Sequence, residues 1–315
     1  MKAIATPLVT IVIPAYNHGK YLKQAIDSVL NQDYRNIELI VLDDGSTDNT
    51  HKVLESYGNQ FYWETQKNMG QANTLNKGWR MAKGEILAYL SADDVLLPQA
   101  TSISVKCLLD HPKSVLCYGD FRLIDSDSRV IRKVVAPEYN YHEMVAKFIC
   151  APGPGAYFWR SAFDKTGGWD PSFRQNPDYE CWLRLGLLGA FTHIHEQLAA
   201  FRVHEDSQTF AQATVERAEE ALRVMEKYFL LPNVPAEIIA NKHQTMANAH
   251  FVVAQLHLRS GRYGAGFLQI YKSIFISPRT LFSVRVLRML ANGVFNRLGH
   301  KFLRDVKNCL NYVNR

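Results

Sequence analysis

Cysteine is scarce. Cys107, Cys117, Cys150, Cys181 and Cys309 are the only five in 315 residues, an odd number with no C-x-x-C pair among them. That argues against a disulfide framework and against a cysteine-type zinc site, and makes a reducing compartment the expectation. Long apolar runs are also missing. No stretch of about 18 uninterrupted apolar residues, the length a membrane-crossing helix needs, occurs. The first residues carry Lys2 but no apolar core of signal-peptide length. A cytoplasmic protein is expected, soluble or peripheral to the inner face of a membrane. A Gly-rich, Lys/Arg-bearing phosphate loop is absent as well. The segment where one would stand, PAYNHGKYL at 14–22, is a poor version of it, which disfavours nucleotidyl transfer.

What is present is ordinary globular material, 47% apolar and 21% charged, with room for one large domain and an appendage. Its charge is unevenly placed. Residues 1–209 hold 21 Lys+Arg against 24 Asp+Glu, a net −3, whereas 210–315 hold 15 against 6, a net +9. The basic excess belongs to the last third and points to an anionic partner for it.

Along the first 120 residues, short β-branched runs alternate with amphipathic segments, the pattern of a mostly parallel sheet covered by helices. Strands are expected at 9–13, 37–42, 61–64, 86–90 and 115–119. Helices are expected over 21–30, after the 43–50 loop, and over 71–82 and 98–109. From 125 to 202 the pattern is irregular, with one helix at 179–188. Beyond 210 it is purely helical, over 215–229, 236–259, 263–276 and an amphipathic run from 280. The expected division is 1–209 (1–120 nucleotide-binding, 121–209 acceptor-side) and a helical, basic module at 210–315. Residues 247–278 are similar to one tetratricopeptide-like hairpin.

Several polar clusters sit where strands end, the edge at which open parallel sheets bind ligands. Pro14, Tyr16 and Asn17 follow the first strand. Tyr16 is read either as a base-stacking ring or as a turn aromatic. Asp43 and Asp44 end the second strand, where adjacent carboxylates need hydrogen bonds or a cation. Ser46, Thr47 and Asp48 are assigned to turn and cap chemistry. Asn68, Gly70, Ala72 and Asn76 precede or open a helix, where a phosphate can approach the backbone, and Gly70 and Asn76 serve equally well as packing devices. In Leu90–Asp94, LSADD, oxygen-rich placement after a buried strand suits Mg²⁺ or Mn²⁺. Asp93 is the preferred ligand, and Asp94 either supports it or caps the next helix. Asp178 precedes a helix, either as a carboxylate projecting into a cleft or as that helix's cap.

In this order and spacing, TIVIPAYN (10–17), ELIVLDDGSTDNT (38–50), NMGQANTLNKG (68–78), LSADD (90–94) and NPDYECWLRL (176–185) resemble the family 2 glycosyltransferases of GT-A fold, over roughly residues 8–209. The resemblance implies an α/β nucleotide-diphospho-sugar transferase domain with a C-terminal all-helical extension. It implies inverting, non-processive transfer from a nucleoside diphosphate sugar, with a UDP-sugar as the expected donor, to an acceptor hydroxyl of a glycan or lipid-linked acceptor in bacterial-type polysaccharide or glycoconjugate assembly. No Q-x-x-R-W occurs, which disfavours processive synthesis.

The implied nucleotide-sugar set is Pro14, Tyr16, Asn17, Asp43, Asn68, Gly70, Asn76, Ser91, Ala92, Asp94, Trp169 and Asp170. The implied metal ligands for Mn²⁺ or Mg²⁺ are Asp93 and His204, the latter in the late R-x-H element Arg202–His204, and the implied base is Asp178. Trp169, within GGWD at 167–170, offers an apolar face to a sugar. Two positions depart from the family pattern. Ser91 replaces the first acid of D-x-D-D, and Pro177 replaces the acid beside Asp178, for which Glu180 is a partial substitute. These departures admit a catalytically degenerate nucleotide-sugar-binding protein as the alternative. Residues 278–315, with eight Lys+Arg and one acid, Asp305, read as a basic amphipathic helix that either meets an anionic membrane surface or packs on the protein. No nucleic-acid partner is expected.

Overall fold

The computed structural model describes residues 6–204 and 212–278. Two compact units divide it, one built from residues of Met1–Tyr141 and Cys150–Phe210, the other from residues of His142–Ile149 and Ala211–Arg315.

The first unit is a strand-helix alternation around one sheet. In order it runs β1 (Val9–Ala15), α1 (Gly19–Leu30), β2 (Ile37–Asp43), α2 (Thr50–Glu55), β3 (Tyr62–Thr65), α3 (Gln71–Met81), β4 (Ile86–Tyr89), β5 (Val95–Leu96) and α4 (Ala100–Asp110). Then come β6 (Ser114–Ile124), β7 (Val130–Val134), β8 (Tyr157–Trp159), α6 (Arg160–Thr166), α7 (Pro177–Gly186) and β9 (Ala190–Arg202). The intervening helix α5 (Tyr141–Lys147) belongs almost wholly to the second unit. The strand order is β3-β2-β1-β4-β8-β6-β9-β5, with β7 on β6.

The half made of β3-β2-β1-β4 is entirely parallel. The other half mixes a parallel β6-β9 pair with antiparallel β4-β8, β6-β8, β6-β7 and β5-β9 pairs. The inner parallel strands β1 and β4 are largely apolar on both faces, as strands buried between helices are, while the edge strand β3 is partly exposed. Val9, Ile11, Val12 and Ile13 of β1 are wholly buried, each contributing on the order of 2 kcal/mol. Helix α1 turns Tyr21, Leu22, Ala25, Ile26 and Val29 inward at helical spacing. Helix α3 lies close against β1: a Cβ on Gly78 would stand 2.4 Å from Val12 Cγ1.

The register then builds an edge. Ala15 pairs with Asp43 and Val12 with Tyr89, so the residues after β1, β2 and β4 emerge together at the carboxyl ends of the parallel strands. The stretch that reads as irregular holds β9, 13 residues long, whose far end brings Arg202 beside Asp94.

The second unit comprises α5, α8 (Val215–Ala218), α9 (Glu220–Tyr228), α10 (Ala236–Ala240), α11 (Lys242–Arg259) and α12 (Tyr263–Ile276). Asn248 Nδ2 donates to Ala146 O at 2.6 Å, which ties α5 to α11. Gly261, at φ +75°, reverses the chain between α11 and α12, and Ser273 Oγ bonds Ala247 O across the hairpin. Among the described residues no helix is long and apolar enough to cross a membrane. The basic amphipathic run expected from 280 lies outside the described residues.

Candidate active site

The LSADD segment leaves β4 as a tight turn, Asp94 N bonding Ser91 O. Its two acids have different surroundings. Asp94 is 2% exposed and accepts the Arg202 backbone N–H at 2.8 Å. Burial, and then the neighbouring Asp93 charge, push its carboxyl well above the usual range. The capping alternative fails for Asp94, because β5 intervenes and Gln99 is the N-cap of α4. Asp93 instead keeps its side chain partly accessible and meets His204, with Oδ2 and Nε2 2.9 Å apart. The His204 ring lies 5.1 Å from that of Tyr21 and 5.9 Å from that of His18, both from the start of α1.

Arg202 holds this corner together. It is wholly buried. Its guanidinium donates to Asp93 O, Asp125 O, Ser128 Oγ and Gln24 Oε1 at 2.7–3.0 Å and lies 4.6 Å over the Tyr21 ring. The sequence marks Arg202 only as part of R-x-H. Its partners Gln24, Tyr21 and Asp125 carried no signal, being up to 178 residues away.

On the β1-β2 side, Tyr16 is 47% exposed at the end of β1. Asn17, at φ +55°, donates its N–H to Ser46 Oγ and accepts from Thr47 N, so it fastens the two edge loops. Asp43 is wholly buried, its oxygens accepting from Ser46 N and Thr65 Oγ1. The carboxylate that the resemblance assigns to the base or ribose holds the 43–46 turn in this structure. Asp44 accepts from Gln66 Nε2, Met69 N and Gly70 N at 2.8–2.9 Å, which shapes the 66–70 loop. Gly70 takes φ +84° there, while Asn68 is exposed beside it. Pro14 and Ala92 are buried backbone supports, and Ser91 is half-buried.

Asn76 resolves as a positioning residue. Buried on α3, it donates to Trp169 O at 2.6 Å and accepts Trp169 N at 2.9 Å, which fixes the Gly167–Asp170 segment. Trp169 is 4% exposed, edge-on to Tyr89 and Trp79, so the open sugar face expected of it is covered. What remains is its indole N–H, buried and unpartnered in this structure. Asp170 accepts from Ser172 N.

Asp178 lies in the first turn of α7, not at its cap, which is Asn176. Its Oδ2 is 3.9 Å from Cys150 Sγ, and burial raises its pKa. Tyr89, at the end of β4, feels both Asp178 and Asp94, and burial with these charges holds its phenol protonated. Its ring stands edge-on to those of Trp79 and Trp169, contacts the sequence does not flag. Glu180 does not substitute for the missing acid. It pairs with Arg184, whose guanidinium also bonds Thr166 O and Gly168 O.

The family model for glycosyl transferase family 2 matches residues 10–167, half of the chain. The chain belongs to this family. An uncharacterized glycosyltransferase of Rickettsia typhi is 34% identical over 232 residues, covering 71% of this chain and 70% of the relative. The chondroitin synthase of Escherichia coli is 34% identical over 197 residues, 60% of this chain but 28% of the synthase. Among solved structures, TarS 1–349 of S. aureus in complex with UDP-GlcNAc has a TM-score of 0.66 at 16% identity, covering 93% of this chain and 88% of that one. The mannosyltransferase PcManGT from Pyrobaculum calidifontis, in complex with GDP-Man and Mn²⁺, has a TM-score of 0.60 at 18% identity, covering 93% and 81%. At these identities the structural likeness establishes the GT-A-type fold. Trp169, Asp170, Asp178 and His204 lie beyond the segment matched by the family model.

Proposed function

We propose that this glycosyltransferase inverts the anomeric centre of a nucleoside diphosphate sugar, a UDP-sugar, as it transfers the sugar to an acceptor hydroxyl in polysaccharide or glycoconjugate assembly. The observation that carries this reading is the Asp93–His204 pair, 2.9 Å apart at the carboxyl edge of the parallel strands. Ligand atoms about 2.1 Å from an octahedral ion and at right angles to each other stand roughly 3.0 Å apart, so the pair fits one edge of a Mn²⁺ or Mg²⁺ shell. The carboxylate suits either ion, the imidazole favours Mn²⁺ as the transition metal of the two, and water and the diphosphate oxygens would supply the other positions. When bound, the cation neutralises charge on the departing diphosphate.

The remaining steps belong to side chains. Tyr16 presents an exposed ring for the base. Arg202 keeps Asp93 and Asp94 in register through its bonds to Asp93 O and Asp94. Asn76 fixes the Gly167–Asp170 segment through its two bonds to the Trp169 backbone. Asp178 accepts the acceptor hydroxyl proton as its oxygen attacks the anomeric carbon and the bond to the diphosphate breaks. Burial raises its pKa and so makes it a stronger base.

The test is turnover of UDP-sugars by the purified chain with Mn²⁺, compared with Asp93→Ala and Asp178→Asn. Loss of turnover in both supports the mechanism, and unchanged turnover in both refutes it. Metal-dependent UDP binding with no transfer or hydrolysis across a broad screen would instead identify a nucleotide-sugar-binding protein. The departures at Ser91 and Pro177, with Glu180 committed to Arg184, are what keep that second reading open.

A further inference from the structure

A second cluster of ligating side chains lies on β9, well away from the donor edge. His193 and His195 alternate with Ile194 and so share one face of the strand. On the partner strand β6 the register runs from Tyr118 opposite His193 to Ile124 opposite Arg202, six steps or roughly 20 Å, with bulges in β9 taking up its extra residues. Glu138, from the loop after β7, reaches the same place. Its Oε1 is 3.0 Å from His193 Nδ1 and 3.5 Å from His195 Nε2, and one ligand atom from each of the three residues lies within 4.8 Å of the others.

The surroundings of His193 decide what the cluster suits. Its ring is stacked on Tyr118, with centroids 5.1 Å apart and planes 9° from parallel, and its side chain is 2% exposed. Nε2 meets Asp120 Oδ1 at 2.8 Å, and that same oxygen accepts the Ala136 N–H. Asp120 therefore fixes the imidazole with Nε2 protonated and turns Nδ1 toward Glu138. A carboxylate behind a histidine in this way is the support that metal-ligating histidines regularly carry. His195 and Glu138 are each 72% exposed, so an ion has a path of entry and a water can complete the shell.

We propose that His193 Nδ1, His195 Nε2 and Glu138 form a zinc site, with water as fourth ligand, that staples the 135–140 loop to β9. Two imidazoles and one carboxylate are a zinc donor set. Tetrahedral ligand atoms about 2.1 Å from the ion stand about 3.4 Å apart, so the two Glu138 separations need little adjustment. Tyr118 Oη already holds the loop at Pro137 O, 2.6 Å away, which limits the motion that closure on the ion requires.

The test is calorimetric titration of the full chain with Zn²⁺ after removal of adventitious metal, in an Asp93→Asn background that weakens the donor-edge site. One Zn²⁺ per chain is expected. His195→Gln and Glu138→Gln, both at exposed positions, should each weaken it at least tenfold. Asp120→Asn should weaken it about ten- to a hundredfold through His193. Circular dichroism of each variant confirms its fold. Zn²⁺ uptake that neither exposed variant changes, or no uptake at all, would overturn the site and leave the triad holding only a proton. Because the readout is Zn²⁺ stoichiometry and affinity, the outcome is independent of sugar transfer.

Discussion

Asp93 and Asp94 are adjacent, yet one turns to His204 and the other to the backbone of Arg202, so their substitutions should separate. Asp93→Asn removes the proposed ligand and should lower turnover by about a hundredfold or more, with a higher Mn²⁺ requirement. His204→Ala should raise the Mn²⁺ concentration for half-maximal rate by about tenfold while sparing the fold. Mn²⁺ titration of initial rates checks both. Arg202→Met, by contrast, leaves Asp93 O, Asp125 O and Gln24 Oε1 without their buried donor. It should cost about 3 kcal/mol in urea unfolding. The pH profile belongs to Asp178. A base works only when ionised, and burial lifts its pKa above the ordinary carboxylate value of about 3.9. The rate should therefore rise with pH through that elevated value and then level off. Asp178→Asn should lower kcat by about 10²- to 10⁴-fold and abolish this limb, without weakening UDP binding.

At the level of elements, the site depends on a close approach that only glycine permits. Gly168 takes φ +82°, and a Cβ there would meet Asn76 Oδ1 at 2.2 Å. Gly168→Ala should break the bonds between Asn76 and Trp169, lower the melting temperature and reduce turnover together. The same change at Gly264, where a Cβ meets nothing within 4 Å, should do neither. Thermal melts alongside rates distinguish the two.

The legible elements share a cause. Strands β1, β2 and β4 are continuous apolar runs, and α1, α3 and α12 carry helical spacing, so each declares itself within its own residues. Strand β9 does not. Its THIHEQ stretch reads as polar loop until β6 pairs with it, and β8 has three residues. The site divides the same way. Strand-end acids stand out in the sequence. Tyr89 and the Arg202 partners do not, because folding brings them together, and Trp169 looked exposed because nothing local reveals Tyr89 and Trp79 against it.

For the whole molecule, the two parts of the chain carry opposite charge, −3 over 1–209 and +9 over 210–315. If the basic 278–315 segment meets anionic lipid, the full chain should float with phosphatidylserine-type vesicles at low salt, and a chain ending at Ser277 should not. Equal flotation of both would assign the segment to contacts within the protein. The central claim, that the Asp93–His204 edge carries a metal-bound nucleotide diphosphate and Asp178 does the proton transfer, is tested most directly by one paired measurement. UDP binding by calorimetry, with and without Mn²⁺, is set beside UDP-sugar turnover for wild type, Asp93→Asn and Asp178→Asn. The account predicts Mn²⁺-dependent binding lost with Asp93→Asn, and binding kept but turnover lost with Asp178→Asn. Mn²⁺-independent binding, or wild-type turnover in either variant, would contradict it.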